Sequence, residues 1–385
     1  MTSAGNQILE LDGRTFYYSF LAGANSLLEH QQELNRINVF PVADADTGTN
    51  LASTIRSIIE NVHPQKSFKK TIDAIADAAL TGARGNSGVI FAQFFYGLSN
   101  ETQTTGKINL RNFADSLQRS VKYIYDAIAE PVEGTMLTVI REWAAYIHSN
   151  HHNSGDFIKI FHDAYHVAGQ SLQETTGKLK VLAKSNVVDA GAKGFVVFLS
   201  GIIELLRTKN IRKLFRSDAR TIPVREELVG LHDTFSFRYC TEAIIRGQDI
   251  DRNRIRAILG NYGDSIVVAG APEVVRLHVH TNDPAKLFDE LRHFGTLSFQ
   301  KADDMQLQYE AAHHRKFPVA LVTDSTCDLP REILEKYQVH MVHLNLNFGE
   351  NHYLDKLTIQ PSQFYDLTDA SDDFPSTSQP TRQAF

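Results

Sequence analysis

The sequence is short of several things, and each shortage narrows the reading. Only two cysteines, Cys240 and Cys327, occur in 385 residues, and they lie far apart. That excludes a disulfide-stapled secreted scaffold, and the N-terminus does not join a basic region, an apolar run and a small-residue cleavage site. A reducing, cytoplasmic setting is the expectation. No apolar run approaches the roughly 20 residues that span a bilayer; the stretch Phe195 to Leu206 is short, follows Lys193 and is expected to be a buried helix. Neither charge dominates, since 39 basic and 45 acidic residues leave a formal net charge of −6. The chain as a whole therefore has no attraction to nucleic acid or anionic membrane, and any phosphate contact must be local. Internal repeats and low-complexity segments are also missing.

What is present fits two or three domains, because 385 residues exceed what one core usually organises. From Leu11 to about Thr208 apolar residues recur three and four apart, as in Phe20, Ala24, Leu27 and Leu28 or Ile72, Ile75, Ala76 and Ala79. That spacing predicts an all-α domain over 7–208. Residues 209–227 are polar and basic, contain Pro223 and mark a boundary. Over 228–310, β-branched runs at 235–245, 265–268 and 274–281 mix with helical stretches at 252–259 and 284–294, which predicts a small α/β domain. The run Pro318 to Thr323 reads as a buried parallel strand that opens a third domain over 317–385.

Chemistry is expected in the loops that interrupt the helices. The segment Asn38-Val-Phe-Pro-Val-Ala-Asp44-Ala-Asp46-Thr47-Gly-Thr49-Asn50 sets two carboxylates two residues apart, just before a helix that Thr47 or Thr49 can cap. Hard oxygen ligands beside a helix N-terminus suit Mg²⁺ on a polyphosphate, whose oxygens the free N–H groups receive. The bland alternative is a capped surface loop with solvated aspartates, and composition alone favours it. In Ala83-Arg-Gly85-Asn86-Ser87-Gly88 two glycines break a helical pattern, each costing about 1 kcal/mol relative to alanine. Either a phosphate approaches the backbone there or the segment is an ordinary helix corner. Glu133-Gly-Thr135-Met136 and Asp189-Ala-Gly191 would each be read alone as a helix cap.

Taken in order, these four loops resemble the nucleotide-binding subunit of bacterial fatty acid kinase, which is related to the L subunit of dihydroxyacetone kinase; the resemblance runs from about Leu11 to Asp304. It implies a helical barrel with ATP at one end, its phosphates bridged by two Mg²⁺ ions. It makes Asp44 and Asp46 metal ligands, with Asn38 near them. Thr47, Thr49, Asn50, Gly85, Asn86, Ser87 and Gly88 would face the phosphates, and Thr135, Met136, Asp189 and Gly191 the base and ribose. The sequence departs from the family pattern at Ala43, commonly proline, and at Ala45, commonly glycine; the latter matters if the position needs a positive φ.

The middle segment matches the same family through Tyr239-Cys240-Thr-Glu, Gly263-Asp-Ser and Leu277-His278-Val-His280-Thr-Asn-Asp283. His278 and His280 project to one face of a strand. With Cys240 they offer three ligands of the kind Zn²⁺ prefers, and the alternative is a pair of half-buried histidines beside a buried thiol. Val322 to Pro330, Asn347-Phe-Gly349, Tyr353-x-Asp355 and Ser376-Thr377-Ser378-Gln-Pro380 are similar to the opening of the DegV family of fatty-acid-binding proteins. That likeness implies Thr377 and Ser378 beside an acyl carboxylate. Residues the DegV fold contributes later are not in this sequence, so a complete fatty acid site is not expected and the chain reads as a fragment. The implied activity is ATP-dependent phosphorylation of a carrier-held fatty acid, with an acyltransferase consuming the product and a homodimer as the assembly. The alternatives are a dihydroxyacetone-type kinase and a non-catalytic nucleotide or zinc sensor.

Overall fold

The computed structural model describes residues 7–40, 45–103, 105–208, 236–370 and 373–380. Its contacts divide into two compact units, Met1–Leu231 and His232–Phe385.

In the first unit the helices are α1 (Gly13–Glu29), α2 (Gln31–Arg36), α3 (Thr47–Asn61), α4 (Phe68–Gly82), α5 (Gly85–Glu101), α6 (Leu110–Ala127), α7 (Met136–Asn150), α8 (Phe157–Lys178), α9 (Lys180–Ser185) and α10 (Ala190–Thr208). Two short strands, β1 (Glu10–Leu11) and β2 (Ile108–Asn109), pair antiparallel. The expected all-α architecture is what forms. Packing runs from α1 through α4, α5, α6, α7, α8 and α10 back to α1, so the helices close a ring. Each turns an apolar stripe inward. The interior is aromatic: Phe20, Phe91, Phe95 and Phe198 meet edge to face, as do Phe94, Trp143 and Phe195. This geometry lets positive ring edges meet negative faces. Phe195 to Leu206 lies in α10 and is buried as expected. Among the described residues no helix is long and apolar enough to cross a membrane.

In the second unit, β3 (Tyr239–Arg246), β4 (Gly263–Ala271), β5 (Val274–Thr281) and β6 (Thr296–Asp304) form an antiparallel sheet in the order β4-β5-β3-β6. Helices α11 (Arg252–Leu259) and α12 (Pro284–Leu291) cover its apolar face. Ala243, Ile245, Val275, Leu277 and Val279 alternate inward and meet Ile255, Leu259, Leu287 and Phe288. After α13 (Met305–His313) come β7 (Val322–Asp324), α14 (Arg331–Lys336), β8 (His340–Val342), β9 (Asn345–Phe348), β10 (Asn351–Leu354), α15 (Pro361–Ala370) and β11 (Ser376–Ser378). Leu346, Phe348, Tyr353 and Ile359 join the same apolar cluster, so the last segment shares a core with the middle one.

One strand expectation fails. Of the run 318–323 only Val322 and Thr323 are strand, in β7, which pairs parallel with β8, and Val319 and Leu321 are 78% and 58% exposed. A parallel strand is buried when layers cover both its faces, and among the described residues nothing covers these side chains.

Candidate functional site

Each of the four loops singled out in the helical unit ends at a helix N-terminus: Asp46 before α3, Arg84 before α5, Thr135 before α7 and Asp189 before α10. A helix start leaves N–H groups without intrahelical partners and carries the positive end of the macrodipole.

Contacts bring the starts together. Arg84 N–H donates to Thr54 Oγ1 at 3.3 Å, and a Cβ placed on Gly85 would lie 2.2 Å from Asn50 Nδ2. Gly85 has φ +56, a conformation glycine adopts freely. The break in the helical pattern is therefore a turn that sets α5 against α3. A Cβ on Gly88 would meet Thr54 Oγ1 at 2.5 Å. A Cβ on Gly191 would stand 3.0 Å from Met136 Cε, 3.1 Å from Ser87 Oγ and 3.4 Å from Asp189 Oδ1, which puts the starts of α5, α7 and α10 at one place. Asn86 Oδ1, in the first turn of α5, is buried with no hydrogen-bond partner among the described residues, an arrangement that points to a ligand group.

Asp189 locks two of these helices. Its Oδ1 accepts from Met136 N–H at 3.1 Å and from Ala192 N–H at 2.7 Å, and its own N–H donates to Thr175 Oγ1 at 3.0 Å. Burial pushes its carboxyl up to about 6, against the two backbone hydrogen bonds that favour the charged form. Thr135 Oγ1 donates to Val132 O at 2.8 Å and does not cap α7.

At the first loop the outcome is mixed. Asp44 lies outside the described residues, as does Ala43. Neither Thr47 nor Thr49 caps α3: Asp46 holds the N-cap position and both threonines fall inside the first turn. Thr47 and Asn50 are buried. Thr49 is turned to Asn35, whose Oδ1 accepts from Thr49 N–H at 3.0 Å and whose Nδ2 donates to Thr49 Oγ1 at 2.9 Å. Asn35 is a residue that sequence reasoning missed; only its position on the preceding helix could have suggested it. Asn38 is buried. Ala45 has φ +53, so this alanine occupies the left-handed conformation that a glycine would take without strain. The apolar cavity in the ring's interior is separate from these loops: Phe20, Phe95, Phe113, Trp143 and Phe198 line it, and no loop residue does.

In the second unit β3 and β5 are in register with Cys240 opposite His280. One ligand atom each from Cys240, His278 and His280 falls within 4.8 Å of the others, and all three residues are buried. Cys240 Sγ is 3.9 Å from His278 Nδ1, and His278 Nε2 is buried without a hydrogen-bond partner among the described residues. His280 is held down to about 3, chiefly by burial and also by the neighbouring His278, so it stays a neutral imidazole. Around this trio the sheet carries Glu242, Arg276, Lys301 and Asp303, which sequence reasoning passed over. Burial pushes the Glu242 carboxyl up, but the His278 contact and the Arg276 and Lys301 charges outweigh it and hold the group well below the usual range. Their signal was visible: Cys240-x-Glu242, Arg276-x-His278-x-His280 and Lys301-x-Asp303 repeat ionisable residues at the strand period of two. Thr377 and Ser378 lie exposed on β11, an edge strand paired to β9.

Residues 41–204 match the family model of the DAK2 domain, 236–312 that of the middle domain of fatty acid kinase A-like proteins, and 318–385 that of the DegV family. The chain thus carries a DAK2 domain, a fatty acid kinase A-type middle domain and a DegV segment, in that order. Among curated proteins it is similar to protein YloV of Bacillus subtilis, 31% identical over 319 residues that make up 78% of this chain and 57% of the relative. An uncharacterized protein of Staphylococcus saprophyticus is 33% identical over 320 residues, 78% of this chain and 56% of the relative. The chain spans about half the length of these relatives. The dihydroxyacetone kinase of C. freundii is similar over 53% of this chain and 37% of its own in the native form, with 18% identity and a TM-score of 0.39. Its complex with AMP-PNP and Mg²⁺ gives 17% identity and the same score over 53% and 36%.

Proposed function

We propose that the chain is an ATP- and Mg²⁺-dependent kinase that phosphorylates the carboxylate of a fatty acid held by a DegV-type carrier, giving an acyl phosphate. The observation that carries this reading is the meeting of α5, α7 and α10 starts at Gly191, with α3 joined through Asn50 and Gly85. Small residues, together with the positive ends of several helix dipoles, make that place fit phosphates. Asn86 Oδ1, buried and without a hydrogen-bond partner among the described residues, supports a bound group there.

ATP would supply the phosphoryl group and Mg²⁺ the charge neutralisation that phosphoryl transfer requires. Asp44 and Asp46 would hold the metal, with Asn38 beside them. Thr47, Asn50, Gly85, Asn86, Ser87 and Gly88 would surround the phosphates. Thr49 would act through Asn35, fixing the first turn of α3. Thr135, Met136 and Gly191 would border the base and ribose, with Asp189 holding α7 and α10 in place. A fatty acid carboxylate is ionised at neutral pH, so attack needs no general base. Thr377 and Ser378 would bind that carboxylate in the DegV segment, and an acyltransferase would consume the product. In the middle domain Cys240, His278 and His280 would hold Zn²⁺ in a structural or regulatory role; the donor set and the orphaned His278 Nε2 fit it.

The test supplies the full chain with ATP, Mg²⁺, fatty acid and an intact DegV-type carrier, and traps acyl phosphate with hydroxylamine as the hydroxamate. The expected result is hydroxamate from the wild type and none from Asp46→Ala. Preferential consumption of triose would move the reading to a dihydroxyacetone-type kinase, and ATP binding without turnover to a sensor.

A further inference from the structure

The pairing that gathers Cys240, His278 and His280 also sets a charged pair beside them. Glu242 follows Cys240 by two residues on β3, so both project to one face, and it stands opposite His278 on β5 and Lys301 on β6. Its Oε2 accepts from the Arg276 guanidinium at 2.7 Å, and its Oε1 lies 3.7 Å from His278 Nδ1. Glu242, His278 and Arg276 are 1%, 2% and 3% exposed. A buried ion pair is a weak source of stability, because desolvating both ions offsets their attraction. Its placement therefore calls for another role.

A neutral imidazole has one N–H and one lone pair, and the partner of one nitrogen decides what the other does. His278 Nδ1 faces two acceptors, the Glu242 carboxylate and Cys240 Sγ at 3.9 Å. The carboxylate is nearer and is the stronger acceptor, though its 3.7 Å must close to under about 3.5 Å to make a hydrogen bond. Nε2 is buried with no hydrogen-bond partner among the described residues. A metal-ligating histidine characteristically donates its other N–H to such a carboxylate, which fixes both ring orientation and tautomer.

We propose that Glu242, clamped by Arg276, is a positioning residue for the Cys240, His278 and His280 centre: it accepts from His278 Nδ1–H and keeps the Nε2 lone pair available to a Zn²⁺-type ion. The inference rests on reading those three residues as a metal centre. Glu242 is not one of the three grouped donors and would act only through His278.

The experiment titrates the metal-free full chain with Zn²⁺ against a chromophoric chelator, and with Co²⁺ while the thiolate-to-cobalt absorption is followed. It compares wild type, Glu242→Gln, and Glu242→Gln combined with Arg276→Met. The double variant removes both charges and so avoids the unpaired buried ion that could unfold the single one. Zinc affinity is expected to fall roughly 10- to 100-fold in both variants, with the thiolate band retained because Cys240 remains. Affinity equal to wild type overturns the positioning role and leaves the centre standing. A wild-type chain that takes up neither metal overturns the centre, and this inference with it. Independently of any variant, long-range ¹H–¹⁵N spectra of the histidine-labelled, metal-free wild type should show His278 as the Nδ1–H tautomer. The Nε2–H tautomer would overturn the assignment.

Discussion

The helical unit gathers its candidate ligand groups from the starts of α3, α5, α7 and α10, whereas the sheet of the second unit gathers them from alternate side chains of β3, β5 and β6. The first candidate site is mostly backbone: small residues let helix starts, with the positive ends of their dipoles, approach one another. The second is mostly side chain, with soft and nitrogen donors backed by charged groups. The first should therefore be sensitive to added atoms and backbone conformation, and the second to which donors are present.

Several outcomes would sharpen or break that contrast. The largest effect is expected from removing metal from the second unit. A zinc chelator should lower the chain's stability by about 2.7 kcal/mol if the ion is normally present at about 100 times its Kd. Restoring Mg²⁺ alone should then return ATP binding without restoring that stability. If ATP binding stayed lost until zinc was added back, the two sites would not be separable.

Asp189 comes next. Asp189→Ala leaves the N–H groups of Met136 and Ala192 without their acceptor, and thermal or urea unfolding should show a loss of about 1–3 kcal/mol. Asp189→Asn keeps an oxygen for both and should lose far less at pH 7. The pH profile gives the sign: the folded carboxyl titrates near 6 rather than at its ordinary 3.8. Its contribution to stability is thus full below about pH 4 and lost as pH rises through 6. The wild type should lose stability over that window relative to Asp189→Asn, and parallel profiles would contradict the role given to burial.

Gly85→Ala should destabilise by about 1–2 kcal/mol from the left-handed φ alone. It should also weaken ATP binding, because the new Cβ would displace Asn50. Unchanged calorimetric affinity would mean that this turn does not shape the nucleotide site. The smallest effect is expected for Ala45→Gly. Relief of φ +53 is worth about 1–2 kcal/mol, offset by about 0.5–1 kcal/mol of extra chain entropy. Melting should rise slightly, and a clear fall would show that Ala45 is not strained.

Much of the first site was legible in the sequence, because helix-start chemistry is local. Gly85 and the cap residue Asp189 announce where helices begin, whereas Gly88, also expected to break the pattern, lies inside α5. What stayed hidden was long-range: Thr49 engaged by Asn35, and Asp189 joining α7 to α10 across 53 residues. In the second unit the histidine pair was readable from strand alternation. The carboxylate and guanidinium beside it needed the β3–β5 register to acquire meaning. The exposed Val319 and Leu321 show the reverse failure, since an apolar run states a tendency to be covered and not whether a cover is present.

The most direct test of the account is calorimetric titration of ATP into the full chain, with and without Mg²⁺, for wild type and for Asp46→Asn with Asp44→Asn. Mg²⁺-dependent binding is expected in the wild type and is lost in the double variant. Binding that ignores Mg²⁺ and survives the substitutions, or no binding by either protein, would contradict the claim that these helix starts form a metal-dependent nucleotide site.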